Sequence, residues 1–252
     1  MAELRPAIEL AGIGVRFQIP NERIRSFKEY VLRRLSGRIG HRELWALDDI
    51  ALAVESGETF GIVGRNGAGK STLLKVVSRV LRPTRGRVIV RGRAAALLEL
   101  GAGFHFDLTG RENVFLNATL LGYPKALVTH HFDEIVDFAE LAEFIDLPVR
   151  NYSSGMLARL GFAVATQFRP DLLILDEVLA VGDTGFQEKC LRRLESFQRA
   201  GTTTLLVSHE LERLEARCDR VAWLEHGRLV AVDAPARVVP PYRQAVLAPA
   251  PA

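Results

Sequence analysis

Apolar positions along the chain follow two spacings, one typical of strands and one typical of helices. Loose alternation or a short apolar run, both typical of strands, covers residues 8–19, 45–54, 59–64, 87–93, 172–177 and 203–209. Apolar residues at helical spacing cover residues 70–81, 110–147, 154–168, 184–200 and 210–217, with a break at residues 122–124. Strands that alternate with helices in this way predict an α/β fold around a parallel sheet.

The composition is that of an ordinary globular protein. The chain has 252 residues, 48% hydrophobic and 25% charged, enough for one core with at most a smaller subdomain. A net charge of +3 does not indicate nucleic acid as a partner. Cys190 and Cys218 lack the spacing of a metal site or a disulfide framework and favour a reducing compartment. Without a leader pattern or a membrane-spanning apolar run, we expect a cytoplasmic chain that could still sit on a membrane partner.

The sequence GRNGAGKS, from Gly64 to Ser71, matches the pattern G-x-x-x-x-G-K-[ST] between a predicted strand and a predicted helix. Its glycines let the backbone turn so that several N–H groups face a phosphate at the helix N-terminus. Lys70 would reach the terminal phosphates and Ser71 would bind Mg²⁺. The alternative is a glycine turn that only starts a helix, but the strand–turn–helix context favours a nucleotide site. The expected phosphate-binding residues are Gly64, Asn66, Gly67, Ala68, Gly69, Lys70, Ser71 and Thr72.

A phosphate loop of this kind needs a carboxylate at the end of a neighbouring buried strand. The sequence LLILDE ends in Asp176, which would hold Mg²⁺ through water, and Glu177, which would polarise the attacking water. An Asp-Glu pair after a strand can instead be the start of a helix. His209 ends the next predicted strand, where a third group could reach the γ-phosphate, although such a histidine can also be purely structural.

The stretch NYSSGM places two serines and a glycine at the start of a predicted helix. Free backbone N–H groups and the Ser153 hydroxyl would form an anion site there, unless the stretch is only a helix start. In order along the chain stand the phosphate loop, this stretch, the strand ending Asp-Glu, Asp183 and His209. That order resembles the nucleotide-binding subunit of ABC transporters over about residues 5–243.

The resemblance implies a homodimer that binds two ATP molecules between its subunits, with Mg²⁺. The YSSGM sequence corresponds to the family's signature, so Ser153, Ser154 and Gly155 would bind ATP held by the partner's phosphate loop. Asp183 would also belong to the nucleotide site. Phe17 matches the aromatic residue that stacks on adenine; Trp45 is a rival for that role, and either residue could instead be core.

Two departures from the family pattern stand out. The signature has Ser154 for a glycine and Met156 for the glutamine. The glutamine expected between the phosphate loop and the signature is missing, and Glu99 or a neighbour stands there as the expected metal-side residue.

Several longer stretches narrow the resemblance to the ATPases of O-antigen, capsular polysaccharide and teichoic acid exporters. They are ELWALDDI, GRNGAGKSTLLK, LLELGAGFH…LTGRENV, NYSSGMLARLGFAVAT and DEVLAVGD. The resemblance implies an ATP-hydrolysing subunit at the cytoplasmic face of the inner membrane, with integral-membrane permease subunits and a lipid-linked polysaccharide cargo. Alternatives are an ABC ATPase for another exported cargo, such as lipid, drug or lipoprotein, or a soluble ABC ATPase that does not transport.

The predicted organisation is one ABC-type ATPase domain over residues 1–245. It would have a RecA-like P-loop NTPase core, an N-terminal antiparallel β subdomain and a helical subdomain at about 104–168. We expect residues 246–252 to form a disordered tail. Residues 21–42 carry seven Lys or Arg against two acids and predict an amphipathic helix. This helix would lie at the membrane-facing edge, or alternatively would only pack on the neighbouring strands.

Overall fold

The architecture is carried by two sheets whose strands come from distant parts of the chain. The computed structural model describes residues 5–20, 41–97, 100–101, 103–176, 182–208 and 210–247. The strands are β1 Ile8–Pro20, β2 His41–Val54, β3 Thr59–Val63, β4 Arg85–Val90, β5 Ala94–Leu97, β6 Leu172–Asp176, β7 Thr203–Val207, β8 Arg220–Glu225 and β9 Arg228–Asp233. The α-helices are α1 Lys70–Val77, α2 Gly110–Leu120, α3 Lys125–His130, α4 Phe132–Ala139, α5 Ser154–Thr166, α6 Thr184–Arg199, α7 Leu211–Arg217 and α8 Pro235–Leu247.

The larger sheet has six strands in the order β5-β6-β7-β3-β8-β9. Its first five strands are parallel, and β9 runs antiparallel to β8. Val207 is the register partner of both Asp176 and Ile62, so the carboxyl ends of β3, β6 and β7 meet at one edge. This edge is where ligands bind in open α/β sheets. The predicted α/β fold with a parallel sheet is confirmed.

The smaller sheet has three antiparallel strands in the order β2-β1-β4. Its inner face packs on α1 and the larger sheet through a core that includes Ile13, Leu47, Phe60 and Leu74, all fully buried. This sheet matches the antiparallel β subdomain expected near the N-terminus. By lying against α1 and β3, it also brings the backbone of β2 next to the phosphate loop.

A second core joins the helices between β5 and β6 to the parallel sheet. At its centre the ring of Phe162 lies 5.9 Å from that of Phe138 and 6.4 Å from that of Phe186. α2 begins with a capping box, in which the Thr109 hydroxyl accepts from the Glu112 amide and the Glu112 carboxylate accepts from the Thr109 amide. These contacts give the signature helix α5 a rigid support.

Three expectations about secondary structure need correction. The strand expected over residues 87–93 ends at Val90 in β4, because Gly92 turns the chain at φ +80°. The next strand, β5, starts at Ala94 and lies in the other sheet. The helical run over 110–147 is three helices that end at Ala139. They are broken at residues 122–124 as expected and again at His131, and the last one stops where Glu140 adopts φ +58°. The hairpin β8–β9 and helix α8 were not predicted.

The expectations for the C-terminal tail, residues 246–252, and for the basic segment, residues 21–42, both change in part. α8 extends to Leu247, so the first two residues of the expected disordered tail are helical. It forms although it contains two prolines, because Val238 and Val239 are fully buried and tertiary packing outweighs the helix-breaking tendency. Residues 248–252 lie outside the described residues. His41 and Arg42 belong to β2 rather than to the expected amphipathic helix, and residues 21–40 of that segment also lie outside.

Candidate nucleotide site

The turn after β3 can only be made with glycine at two of its positions. A Cβ atom on Gly64 would lie 2.3 Å from the carbonyl oxygen of Leu224 in β8. On Gly69, which has φ +106°, it would lie 2.5 Å from the carbonyl oxygen of Ala46 in β2. The loop thus lies in close contact with the backbone of β8 in the larger sheet and of β2 in the smaller sheet. α1 starts directly from the loop at Lys70.

A cavity of about 370 Å³ opens over this turn. It is lined by Leu44, Trp45, Ala46, Asn66, Gly67, Ala68, Gly69, Lys70, Ser71, Thr72 and Asp176. The structure therefore brings together every expected phosphate-binding residue except Gly64. Gly64 lies instead against the backbone of β8 at the start of the loop. The structure also brings Asp176, more than a hundred positions away in sequence, to the same cavity. The sequence analysis did not assign Leu44 and Ala46 to the site, although both lie in the stretch ELWALDDI.

Lys70 is the basic group at this cavity. Its side chain is buried, and its Nζ donates to the carbonyl oxygens of Gly64 at 2.6 Å and Arg65 at 3.3 Å. Burial lowers the pKa of Lys70, and the nearby Asp176 carboxylate acts in the opposite direction. An anionic phosphate in the cavity would likewise favour the charged ammonium, so the residue fits a phosphate-binding role.

The oxygen groups at the cavity fit a magnesium ion bound together with phosphates. The Ser71 hydroxyl and the Asp176 carboxylate line the same cavity, and Mg²⁺ in such sites takes one or two carboxylates plus substrate phosphates. Across the described residues, no three His, Cys, Asp or Glu side chains form a metal-binding group.

Three predicted site residues, Glu99, Glu177 and His209, lie outside the described residues. Their neighbours are described: β6 ends at Asp176, and Ser208, after β7, is buried. The roles expected for these three residues stay predictions.

The signature stretch does not line the cavity of its own chain. Ser153 caps α5, since its Oγ accepts from the Met156 amide at 3.2 Å, and Ser153 and Ser154 are both exposed. Ser153, Ser154 and Gly155 are all absent from the described residues that line the cavity over the phosphate loop. The stretch is therefore a well-formed helix start whose first turn is open to solvent.

Tyr152 anchors this exposed helix start. Its ring is buried, and its hydroxyl donates to the carbonyl oxygen of Phe144 at 2.8 Å. Burial raises the pKa of Tyr152 to about 12, so the phenol stays neutral and keeps donating. Sequence reasoning did not assign this residue a role.

Asp183 occupies a position different from the one expected of a nucleotide ligand. It caps α6 by accepting from the Phe186 amide at 3.0 Å, and it pairs with Arg159 of α5. The hydrogen bond from the Phe186 amide is the main cause that lowers the pKa of Asp183, and the Arg159 charge contributes. Arg159 also pairs with Glu140 at 2.8 Å. In this structure Asp183 therefore ties α6 to the signature helix and does not line the cavity.

The two candidate adenine-stacking residues lie on neighbouring strands but on opposite faces of the small sheet. Phe17 is the register partner of Leu44, and Trp45 is the register partner of Arg16. Directly opposed residues share a face, and Leu44 lines the cavity. Trp45 lines it too, but the guanidinium of Arg85 lies 4.9 Å from its ring centroid. Phe17 is 41% exposed and does not line the cavity.

Comparison with known proteins identifies the family. The family described as "ABC transporter" matches residues 47–180. The chain belongs to the ABC transporter family. The predicted membership is confirmed, and with it the prediction of an ATP-binding subunit that hydrolyses ATP. None of the described helices of this ABC protein is both long enough and apolar enough to span a membrane.

Among its curated relatives is the O-antigen export system ATP-binding protein RfbB of Klebsiella pneumoniae. It is 45% identical over 245 residues, which cover 96% of this ABC protein and all of the relative. A protein of the same name from Myxococcus xanthus is 49% identical over 224 residues, 88% of this chain and 51% of that protein. The teichoic acids export ATP-binding protein TagH of Levilactobacillus brevis is 41% identical over 223 residues, 88% and 60% of the two chains.

Solved structures with the same fold are cassettes of this family. A dimeric ATP-binding cassette in a post-hydrolysis state, bound to ADP and Pi, aligns with a TM-score of 0.68 at 20% identity, covering 90% of this ABC protein and 98% of that chain. An ATP-binding subunit of an ABC transporter aligns with a TM-score of 0.70 at 22% identity, covering 96% and 94%. At these identities the likeness shows the fold alone.

We expect Phe17→Ala to weaken ATP binding more than Trp45→Ala does. Phe17 is the position that the resemblance assigns to stacking on adenine, and its ring is exposed, whereas the Trp45 ring lines the cavity but is already engaged by Arg85. Stacking on a base is worth about 1–3 kcal/mol, so the Kd for ATP should rise about ten-fold in the Phe17 variant. Isothermal titration calorimetry with both variants measures the difference. A larger loss in the Trp45 variant would assign the stacking role to Trp45 instead.

Proposed function

We propose that this protein is the ATP-binding and ATP-hydrolysing subunit of an ABC exporter that moves a lipid-linked polysaccharide across the cytoplasmic membrane. The observation that carries the proposal is the 45% identity to an O-antigen export ATP-binding protein along the whole of that relative. The relatives from other bacteria that are named for O-antigen or teichoic acid export support the same class of cargo. Lipid-linked surface polysaccharides are what these named activities share.

The working unit would be a homodimer with two shared ATP sites. One chain supplies a cavity with the phosphate loop, Lys70 and Asp176 but without any signature residue. The same chain exposes Ser153 and Ser154 at the first turn of α5, which points to a ligand on another molecule. The dimeric state of the similar cassette supports this arrangement.

Each residue of the site would then have a distinct role. Lys70 and the loop amides would bind the phosphates, while Ser71 and Asp176 would hold Mg²⁺, which neutralises phosphate charge when bound. Glu177 would accept a proton from the attacking water, and His209 would contact the γ-phosphate. Ser153, Ser154 and Gly155 would close on the same phosphates from the partner subunit. Asp183 and Glu99 would act near this shared site, Asp183 through its link to the signature helix.

The partners would be integral-membrane permease subunits that carry the polysaccharide path. Closure of the dimer on ATP would change the shape of the permease, and hydrolysis would reset it. The protein would therefore work at the cytoplasmic face of the membrane as a peripheral subunit. The basic segment at 21–42 would lie at the membrane-facing edge of this assembly.

Glu177→Gln is expected to bind ATP but to hydrolyse it at a small fraction of the wild-type rate. The amide cannot take the proton from water, while the phosphate loop and Asp176 stay intact. The variant should then accumulate as an ATP-bound dimer on gel filtration, whereas Lys70→Ala should lose ATP binding and stay monomeric. Turnover at the wild-type rate in the Glu177 variant would remove this residue from the mechanism.

Mixing two inactive variants should restore part of the hydrolysis if the site is shared. Ser153→Arg damages the signature half and Lys70→Ala damages the phosphate-loop half, so one site of a mixed dimer keeps both halves intact. Each variant alone should be inactive, and the mixture should recover up to about a quarter of the wild-type rate. Absence of recovery, with mixed dimers demonstrated by differently tagged chains, would argue against the shared site.

Loss of the gene should remove the polysaccharide from the cell surface and leave its lipid-linked form inside the cytoplasmic membrane. The wild-type gene should restore export, and Glu177→Gln should not, although the variant protein is present. Surface staining and analysis of extracted lipid-linked sugars measure both outcomes. Normal surface polysaccharide in the deletion strain would contradict the proposed cargo while leaving the ATPase assignment intact.

A further inference from the structure

The last described part of the chain, β8, β9 and α8, packs directly against the phosphate loop. We call residues 220–247 the C-terminal unit. Its strand β8 lies beside β3, and Trp223 is the register partner of Val63, the residue before the loop. The carbonyl oxygen of Leu224 is the atom that leaves no room for a side chain on Gly64. The C-terminal unit therefore touches the loop where it leaves the sheet.

The turn between β8 and β9 makes a second contact with the loop. The Gly227 amide donates to the carbonyl oxygen of Ala68 in the loop at 3.0 Å, and the Gly227 carbonyl accepts from the Asp48 amide at 2.8 Å. A Cβ atom on Gly227 would lie 2.8 Å from the carbonyl oxygen of Ala46. The same oxygen atom would also be too close to a Cβ atom on Gly69. The turn, β2 and the loop are thus in backbone contact and cannot shift independently.

Helix α8 makes the third contact through Tyr242. This side chain is 7% exposed, and its ring lies 5.6 Å from that of Trp223 at a steep angle. Burial raises the pKa of Tyr242, while the charge of Arg65 in the loop acts in the opposite direction. The fully buried Val238 and Val239 fix α8 on the sheet. Tyr242 thus packs on Trp223, the register partner of the residue before the loop.

We infer that the C-terminal unit positions the phosphate loop for ATP, with Gly227 and Tyr242 as positioning residues. The inference rests on the proposed ATP site at the loop and adds a group of residues that no motif marks. Because the contacts are made to backbone atoms, a displacement of the turn or of α8 must move the loop amides that face phosphate. By reciprocity, ATP bound to the loop stabilises the turn and α8.

The first arm of the test compares two glycines with similar backbone strain. Gly227 has φ +77° and Gly201 has φ +82°, but a Cβ atom on Gly201 meets nothing within 4 Å. Gly227→Ala should raise the Kd and KM for ATP about ten-fold, with kcat at saturating ATP within about two-fold of wild type. Gly201→Ala carries a similar backbone strain without a steric contact, so it should lose less thermal stability and leave ATP affinity unchanged. Equal affinities in the two variants would overturn the inference.

The second arm removes a single hydroxyl. Tyr242→Phe keeps the ring packed on Trp223 but removes the hydroxyl that lies near the Arg65 charge of the loop, so ATP affinity should fall by about three-fold or more. Tyr123→Phe is the matched control, since Tyr123 is a buried tyrosine outside the residues that line the loop cavity. Its affinity should stay at the wild-type value. A Tyr242 variant with wild-type affinity would remove this residue from the proposed role.

The third arm measures the reciprocal effect in a chain whose C-terminal unit carries no substitution. Binding of ATP to Glu177→Gln, which holds it without turnover, should slow amide hydrogen exchange at Gly227 and in α8, and the same protein without nucleotide is the reference. Lys70→Ala separates the two hypotheses: if it binds ATP normally, the proposed site itself is wrong. If Lys70→Ala loses ATP binding, but ATP does not change amide exchange in the C-terminal unit of Glu177→Gln, only the positioning role is overturned.

Discussion

The site depends on one constraint, the close approach of three backbone segments at the carboxyl end of β3. The carbonyl oxygens of Ala46 and Leu224 lie where side chains on Gly69 and Gly64 would have to be. Only glycine fits there, so the loop curls tightly and α1 begins at its end with Lys70. A phosphate meets both the open amides of the loop and the positive end of the helix dipole. The same crowding that excludes side chains therefore forms the anion site.

That constraint requires both sheets to be in place. β2 comes from the small antiparallel sheet, and β8 comes from the large sheet, where it lies directly beside β3. The ion pairs of Asp48 with Arg85 of β4 and Arg228 of β9 join these parts at the surface. Asp48 has a lowered pKa, caused first by its hydrogen bond with Arg228. Because the pairs are exposed, they align the strands more than they stabilise the fold.

The signature helix α5 is fixed by contacts that do not involve the phosphate loop of its own chain. α5 is fixed by the aromatic contacts of Phe162 and by Tyr152, which bonds to the Phe144 carbonyl. Arg159 then links it to Asp183 at the start of α6. These contacts fix the exposed serines relative to the start of α6. A rigid, exposed helix start separate from its own phosphate loop suits recognition of a ligand held by a second chain.

Much of the chemistry could be predicted from the sequence because it depends on local spacing. The pattern from Gly64 to Ser71 can be recognised without knowing how the chain packs, and so can the carboxylate of Asp176 after an apolar run. Residues of both line one cavity. Only the tertiary structure decided which atoms make those glycines necessary. The carbonyl oxygens of Ala46 and Leu224 reach the loop because strands distant in sequence lie next to it. It also decided that α8 forms despite Pro240 and Pro241, because burial of Val238 and Val239 outweighs local propensity. Spacing along the chain determines which groups a segment carries, and packing between segments determines which groups meet.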